Sequence, residues 1–271
     1  MQISREQGDE LLALFCQLQT TLTLHYQGQL AEAQREADAL VAQASGYGSH
    51  QYQAWGHTLT ALLHLRKGQL GAARGELGSA RKSLDRIDDP LCLLLFSSVQ
   101  ARIGAAQGEP RDARRSAERA LALLEEHQPT THEAVEAAAE LATACAWLAG
   151  ATPTHEHEPA VPHAPAPSPT ALLDRALAHL VRLAGLFELA LPRALLLQSA
   201  QAELAGRSRR ARALSRLALR HARRLGVLCD QARAQQALGR LAPADSAARR
   251  RHEREADELL RRLGLSGSAL L

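Results

Sequence analysis

Gly28, Gly68 and Gly108 stand forty residues apart, and each is followed five residues later by an alanine: Ala33, Ala73 and Ala113. Gly150 lies 42 residues further on, Gly206 again has its alanine at Ala211, and Gly239 has Ala244. Self-similarity at a period of this length marks stacked repeats, in which each unit buries its apolar face only against its neighbours. Composition then says what the unit is made of. Of 271 residues, 53 are Ala and 49 are Leu, whereas Val and Ile together supply 9 and aromatics 3%. Strands draw on β-branched and aromatic side chains, while Ala and Leu lead the helix scale. A β-sandwich, a β-barrel and a doubly wound sheet are excluded, and the chain is expected to be all-α.

Each unit reads the same way. An apolar helix runs into the glycine, a short turn follows, and a second, amphipathic helix returns. Glycine suits the turn because the residue after a helix end often needs φ > 0. The second helices carry small or apolar residues at helical spacing: Ala33, Ala37, Leu40; Ala73, Leu77, Ala80; Ala113, Ala117, Ala120; Ala211, Ser215, Ala218. Small side chains there let helices approach closely. Gly46-Tyr47-Gly48-Ser49-His50 separates the first unit from the second. Asp89-Pro90 opens the third, with Asp as N-cap and Pro at the first helical position. Thr130-Thr131-His132-Glu133 has capping-box spacing and opens the fourth. Six helical hairpins, about twelve helices, are expected. Residues 151–169 hold six of the eleven prolines. They cannot be helical and read as a flexible Pro/His-rich insertion within one continuous domain spanning 1–271. The charged helix 247–263 reads as a C-terminal cap. The N-terminal helix, with Leu11, Leu12, Leu14 and Phe15, is less protected.

Helical hairpins with Gly, then Ala five residues on, then further small residues, resemble the tetratricopeptide repeat. Gly28/Ala33/Ala37, Gly68/Ala73/Ala80, Gly108/Ala113/Ala117/Ala120 and Gly206/Ala211/Ala218 carry the resemblance, over roughly residues 10–263. The period is nearer 40 than the family's value of about 34. A HEAT or armadillo solenoid has a period of about 40–47, but the Gly-then-Ala turn favours the tetratricopeptide type. Longer, degenerate repeats of this kind are similar to the helical arms of large bacterial signalling ATPases, kinases and transcription regulators, as is the ending from His252 to Gly264. The resemblance implies a right-handed α-solenoid of about six hairpins that works as a binding scaffold. It also implies a concave groove lined by the first helix of each hairpin. Counting back from each turn glycine by the family spacing places His25, Trp55, Thr58, Arg102, Glu140, Trp147, Arg193 and Glu203 in that groove. Such a lining suits an extended peptide or a partner helix.

Charge is uneven. Residues 1–200 carry 16 Lys/Arg against 22 Asp/Glu, and residues 201–271 carry 16 Arg against 7 Asp/Glu. A basic end on an acidic body implies an anionic contact or a charge match within an assembly. Arg209, Arg210, Arg212, Arg216, Arg220, Arg223 and Arg224 fall on one expected helix, and Arg249, Arg250, Arg251 and Arg254 add a second group. A basic stripe can neutralise phosphates, but stacking aromatics are absent after Phe187. A solvated outer face or an acidic protein partner is favoured over nucleic acid. Cys16, Cys92, Cys145 and Cys229 sit in apolar stretches with no CxxC pair, so all four read as reduced core residues. With no signal peptide at the N-terminus and no run of about 18 apolar residues, the expected place is the cytoplasm, away from membranes.

Catalytic signatures are missing. Gly68, Gly71, Gly75 and Gly78 are dense, yet no GxxxxGK[ST] or GxGxxG occurs. Gly71, Gly75 and Gly78 share a helix face, which suggests close helix packing. His155-Glu156-His157-Glu158 with His163 carries metal-ligating types, but a Pro-rich setting lacks the supporting shell a metal site needs. No GxSxG or HExxH is present. Glu125-Glu126 and Asp88-Asp89 read as helix termini or caps. The expectation is a non-catalytic protein–protein interaction scaffold with no cofactor or metal. The alternatives are a sensor or autoinhibitory arm of a larger signalling protein, or nucleic-acid binding through the C-terminal arginines.

Overall fold

Twelve α-helices succeed one another, with no strand among the described residues of the computed structural model, which are 7–151 and 167–265. They are α1 Gln7–Gln27, α2 Leu30–Gly46, α3 His50–Arg66, α4 Leu70–Leu84, α5 Pro90–Ala106 and α6 Pro110–His127. Then come α7 Glu133–Gly150, α8 Pro169–Leu186, α9 Leu191–Leu204, α10 Ser208–Leu225, α11 Leu228–Arg240 and α12 Ala247–Arg262. A single 3-10 turn, Glu188–Ala190, precedes α9. Helices pack in neighbouring pairs, as a helical repeat requires. None is long and apolar enough to cross a membrane.

The turn glycines behave as their spacing suggests. Gly28, Gly68, Gly108 and Gly206 all have φ between 70° and 78°. Each is followed by a helix whose anchor residues are buried: Ala33, Ala73, Ala113 and Ala211 are each 0% exposed. Gly150 and Gly239 depart from the pattern. Gly150 is the last residue of α7, and Gly239 lies inside α11 against His252 and Glu253 of α12. The α11–α12 turn uses Asp245 at positive φ instead.

The caps divide similarly. Asp89 accepts from the Cys92 amide at 2.9 Å, and Pro90 occupies the first turn of α5. Ser168 caps α8, accepting from the Ala171 amide at 3.2 Å ahead of Pro169. The capping box expected at Thr130 does not form: α7 begins at Glu133, with no side-chain cap from His132. Glu133 is held both locally, by the Thr131 side chain, and across the fold, where Gln19 on α1 donates to its carboxylate at 2.6 Å.

Two layers result. The odd-numbered helices form the inner one: α1 touches α3, α3 touches α5, and the series runs through α7 and α9 to α11, which returns to α1. The even-numbered helices lie outside, each against its flanking inner helices. That division explains the sequence patterns. Outer helices have one buried face, as in α6 with Ala113, Ala117, Ala120, Leu121 and Leu124. The inner helices α3, α5 and α7 are buried nearly all round, so their leucines and alanines show no single apolar stripe. Each fully buried leucine there contributes about 1.5–3 kcal/mol by leaving water. Helices on either side of residues 152–166 pack on one another, α7 against α8 and α6 against α8. Most of the expected Pro/His-rich insertion, including His155, His157 and His163, lies outside the described residues.

The return of α11 to α1 closes the inner layer. The space beside Gly28, in the α1–α2 turn, is filled by Leu263 and Leu228 from the C-terminal helices. A Cβ at Gly28 would sit 2.5 Å from Leu263 Cδ2. The C-terminal helix α12 is mostly charged on its outer side, with Ala256, Leu259 and Leu260 buried. At the other end Leu14 is buried, while Leu11, Leu12 and Phe15 are exposed.

Candidate functional site

Because six inner helices face one another, any polar residue they point inward must find its partner there. Each inner helix supplies at least one such residue: His25 from α1, Arg66 from α3, Arg102 from α5, Glu136 and Glu140 from α7, Arg193 from α9, Asp230 and Arg233 from α11. They form one ion network. Arg66 Nη2 donates to Glu140 Oε1 at 2.6 Å and to Glu136. Arg102 Nε donates to Glu140 Oε2 at 3.2 Å. Arg193 reaches Glu140 at 3.3 Å and Asp230 at 2.7 Å, and Arg233 reaches Asp230 at 3.0 Å. His25 Nε2 lies 3.3 Å from Glu136.

The electrostatics follow from burial and pairing. Burial alone would raise the Glu140 pKa, but Arg66 and Arg102 overcome it and bring it down to about 2. Glu136 is likewise held well below the carboxylate range, burial being outweighed by Arg193, His25 and Arg66. Burial pushes Arg233 down to about 10, with Arg193 and Arg66 adding to the shift. Burial raises the Tyr26 hydroxyl pKa, as does Glu136 beside it.

The groove residues expected from sequence divide into two sets. His25, Arg102, Glu140 and Arg193 meet in this network and are buried. Trp55, Thr58, Trp147 and Glu203 do not join it. Trp55 is 4% exposed and donates from Nε1 to Asp89 at 2.9 Å. Thr58 turns back to its own helix and donates to the Ala54 carbonyl at 2.7 Å. Trp147 packs half-buried against the core. Glu203 is exposed, 3.9 Å from Arg240. Arg66, Glu136, Asp230 and Arg233 escaped the sequence reading. The signal that could have found them was a charged residue inside an otherwise apolar first helix, as with Arg66 after Leu62-Leu63-His64-Leu65. The inner face is therefore occupied by its own charges.

Open surface lies on the outer layer. A groove of about 630 Å³ runs across α5 between α4 and α6. Leu77, Phe96 and Ile103 form its largely buried floor, and Arg81, Arg115 and Arg119 stand along its walls. Gly78 lines its α4 side. Gly71, Gly75 and Gly78 are exposed, and a Cβ at any of them meets nothing within 4 Å. Close helix packing therefore does not explain these glycines, which face away from the helices α4 packs against. Close approach does govern Gly104, where a Cβ would sit 2.9 Å from the Ala113 amide.

A second, shallower groove of about 380 Å³ crosses α11 between α10 and α12 and is lined by Arg223, Arg251, Arg254 and Arg262. Of the basic patch, Arg209, Arg210, Arg216, Arg220, Arg223 and Arg224 are exposed on α10. Arg212 is half-buried and donates to the Leu241 carbonyl. Glu125 is no mere terminus: it accepts both Arg175 donors, at 2.8 and 2.6 Å, tying α6 to α8.

Among the described residues no group of three or more His, Cys, Asp or Glu side chains is placed to hold a metal. Cys92, Cys145 and Cys229 are free and buried. Cys16 was expected in the core but is exposed. It lies on the same exposed part of α1 as Leu12 and Phe15. No protein-family model and no curated protein matches the chain.

Proposed function

We propose that this chain is a non-catalytic scaffold for protein–protein interaction, built as a right-handed tetratricopeptide-like solenoid of six hairpins. The observation that carries the reading is the groove across α5. It combines an apolar floor, an arginine wall and a glycine-bare flank on rigid helices. An amphipathic helix laid there would pack its apolar side chains on Phe96 and Leu77 and set a carboxylate against Arg119, Arg115 being paired with Asp112 at 2.6 Å in the same groove. Bare backbone at Gly78 lets that helix approach closely. A partner in the inner groove would first have to displace the Arg66–Glu140–Arg193 network, which makes the outer groove the better candidate. The cytoplasm remains the expected location. A role as the regulatory arm of a larger signalling protein is compatible with the same binding surface.

Gly78→Trp tests the reading. The position is open, so the free protein accommodates the side chain, yet the indole obstructs the groove. Affinity capture from native lysate with nuclease treatment should return a discrete protein with the wild type and with Gly71→Ala, and lose it with Gly78→Trp. Equal capture by all three would remove this groove from consideration.

A further inference from the structure

We propose that the groove between α10 and α12 is a docking site for an acidic peptide segment. The inference adds a second site to the scaffold reading, with its own chemistry. Arg223 on α10 faces Arg251, Arg254 and Arg262 on α12 across the α11 surface. The two carboxylates in the groove are already engaged: Glu255 accepts from Arg223 at 3.0 Å and from Gln235, and Glu258 accepts from Arg261. Among the described residues, no carboxylate lies within ion-pair distance of Arg251, Arg254 or Arg262. The groove is therefore left with unanswered positive charge.

Interhelical contacts use only part of that charge: Arg223 pairs with Glu255, Arg224 with Glu188, and Arg212 donates to the Leu241 carbonyl. Helix α10 holds seven arginines and no acidic residue. Two of them, Arg209 and Arg210, sit in its first turn, where the helix dipole disfavours a cation. Arg216, Arg220 and Arg223 recur at spacings of four and three, so they share one face of the helix. Arginines of both helices act on the same spot. The pKa of half-buried His252 is lowered by burial first and then by Arg251, with Glu255 opposing and Arg216 and Arg223 contributing. Such a field focuses anions at the groove.

Two features select a peptide over a nucleic acid. No aromatic side chain lines it for base stacking. Gln231 and Leu259 offer an amide and an apolar contact between the arginines, which suits side chains that alternate along a peptide. Guanidinium pairs with carboxylate in a two-pronged geometry that rewards spaced Asp and Glu.

Fluorescence anisotropy tests the proposal on the full chain. The probes are a labelled twelve-residue Glu/Asp-rich peptide, its Gln/Asn counterpart, and a single-stranded DNA dodecamer. The variants are R251E/R254E, and R35E/R86E, which makes the same charge change outside this groove; circular dichroism checks that both fold. The expected result is binding of the acidic peptide at low salt and none of the amide peptide. Affinity should fall at least tenfold in R251E/R254E and less than twofold in R35E/R86E. No binding of the acidic peptide, equal losses in the two variants, or tighter binding of the DNA lost in R251E/R254E would each overturn it. Those results leave the α5 groove reading standing, because Gly78→Trp lies elsewhere and is read by partner capture.

Discussion

Arg66 and Glu140 are 74 residues apart in sequence, and their side chains meet at 2.6 Å in the interior. The same carboxylate receives Arg102 and Arg193, so one residue of α7 ties α3, α5 and α9 together. Pairing that depends on four helices is formed only when all four have packed together.

Glu140→Ala should destabilise the protein by about 3–5 kcal/mol, the usual cost of leaving buried cations without their counter-ion. Arg102→Met should cost less in the Glu140→Ala background than in the wild type, because Arg102 Nε donates to Glu140 at 3.2 Å. Urea denaturation of the single and double variants measures both effects, and additive losses would show that the network does not act as a unit.

Acid should weaken the fold through this network. Glu140 titrates at about 2 in the folded chain against 4.5 ordinarily, and Glu136 is depressed in the same direction. A lowered folded pKa means that the ionised forms stabilise the protein above about pH 4.5. That stability is lost as pH falls toward 2, on the order of 3 kcal/mol for Glu140 alone. Urea midpoints measured from pH 7 to pH 2.5 should fall along this window. Glu140→Gln should flatten the slope.

Gly68 and Gly71 are three residues apart and should respond to alanine with opposite signs. Gly68 has φ +74° and open space around it, so Gly68→Ala meets backbone strain alone, about 1–2 kcal/mol. Gly71 lies in the first turns of α4 with nothing near a Cβ. Gly71→Ala should therefore stabilise by about 0.5–1 kcal/mol, raising the Tm by roughly 1–4 °C. Thermal melts of both variants decide it.

Asp89 joins two tasks. One oxygen caps α5, and the other accepts from Trp55 Nε1 and Gln51 Nε2, each at 2.9 Å. Asp89→Ala should cost about 2–3 kcal/mol, more than a simple cap, because the indole also loses its acceptor. Asp89→Asn should cost less, since an amide oxygen can keep one of these bonds. Stability curves give the ranking, and Trp55 fluorescence in a Trp147→Phe background reports the indole directly.

The helical class, the turn at Gly28, Gly68, Gly108 and Gly206, and the buried small residues of the outer helices were legible from residue types alone. Each depends on neighbours within one hairpin. The glycines at 71, 75 and 78 misled, because a shared helix face says nothing about which side the rest of the chain covers. Cys16 misled for the same reason: its apolar surroundings belong to the exposed face of α1. Glu133 fitted a local cap, but beside its local bond to Thr131 it also accepts from Gln19, 114 residues away.

Local chemistry thus determined that the chain is helical, where it turns and which small residues sit between helices, because propensity and backbone strain act over a few residues. Closure of the inner layer lay beyond its reach. Only the tertiary structure brought α11 back to α1 and gathered His25, Arg102, Glu140 and Arg193 with Arg66, Glu136, Asp230 and Arg233. Small rotations between successive hairpins accumulate over the whole stack, and their sum decides whether charged residues face water or one another.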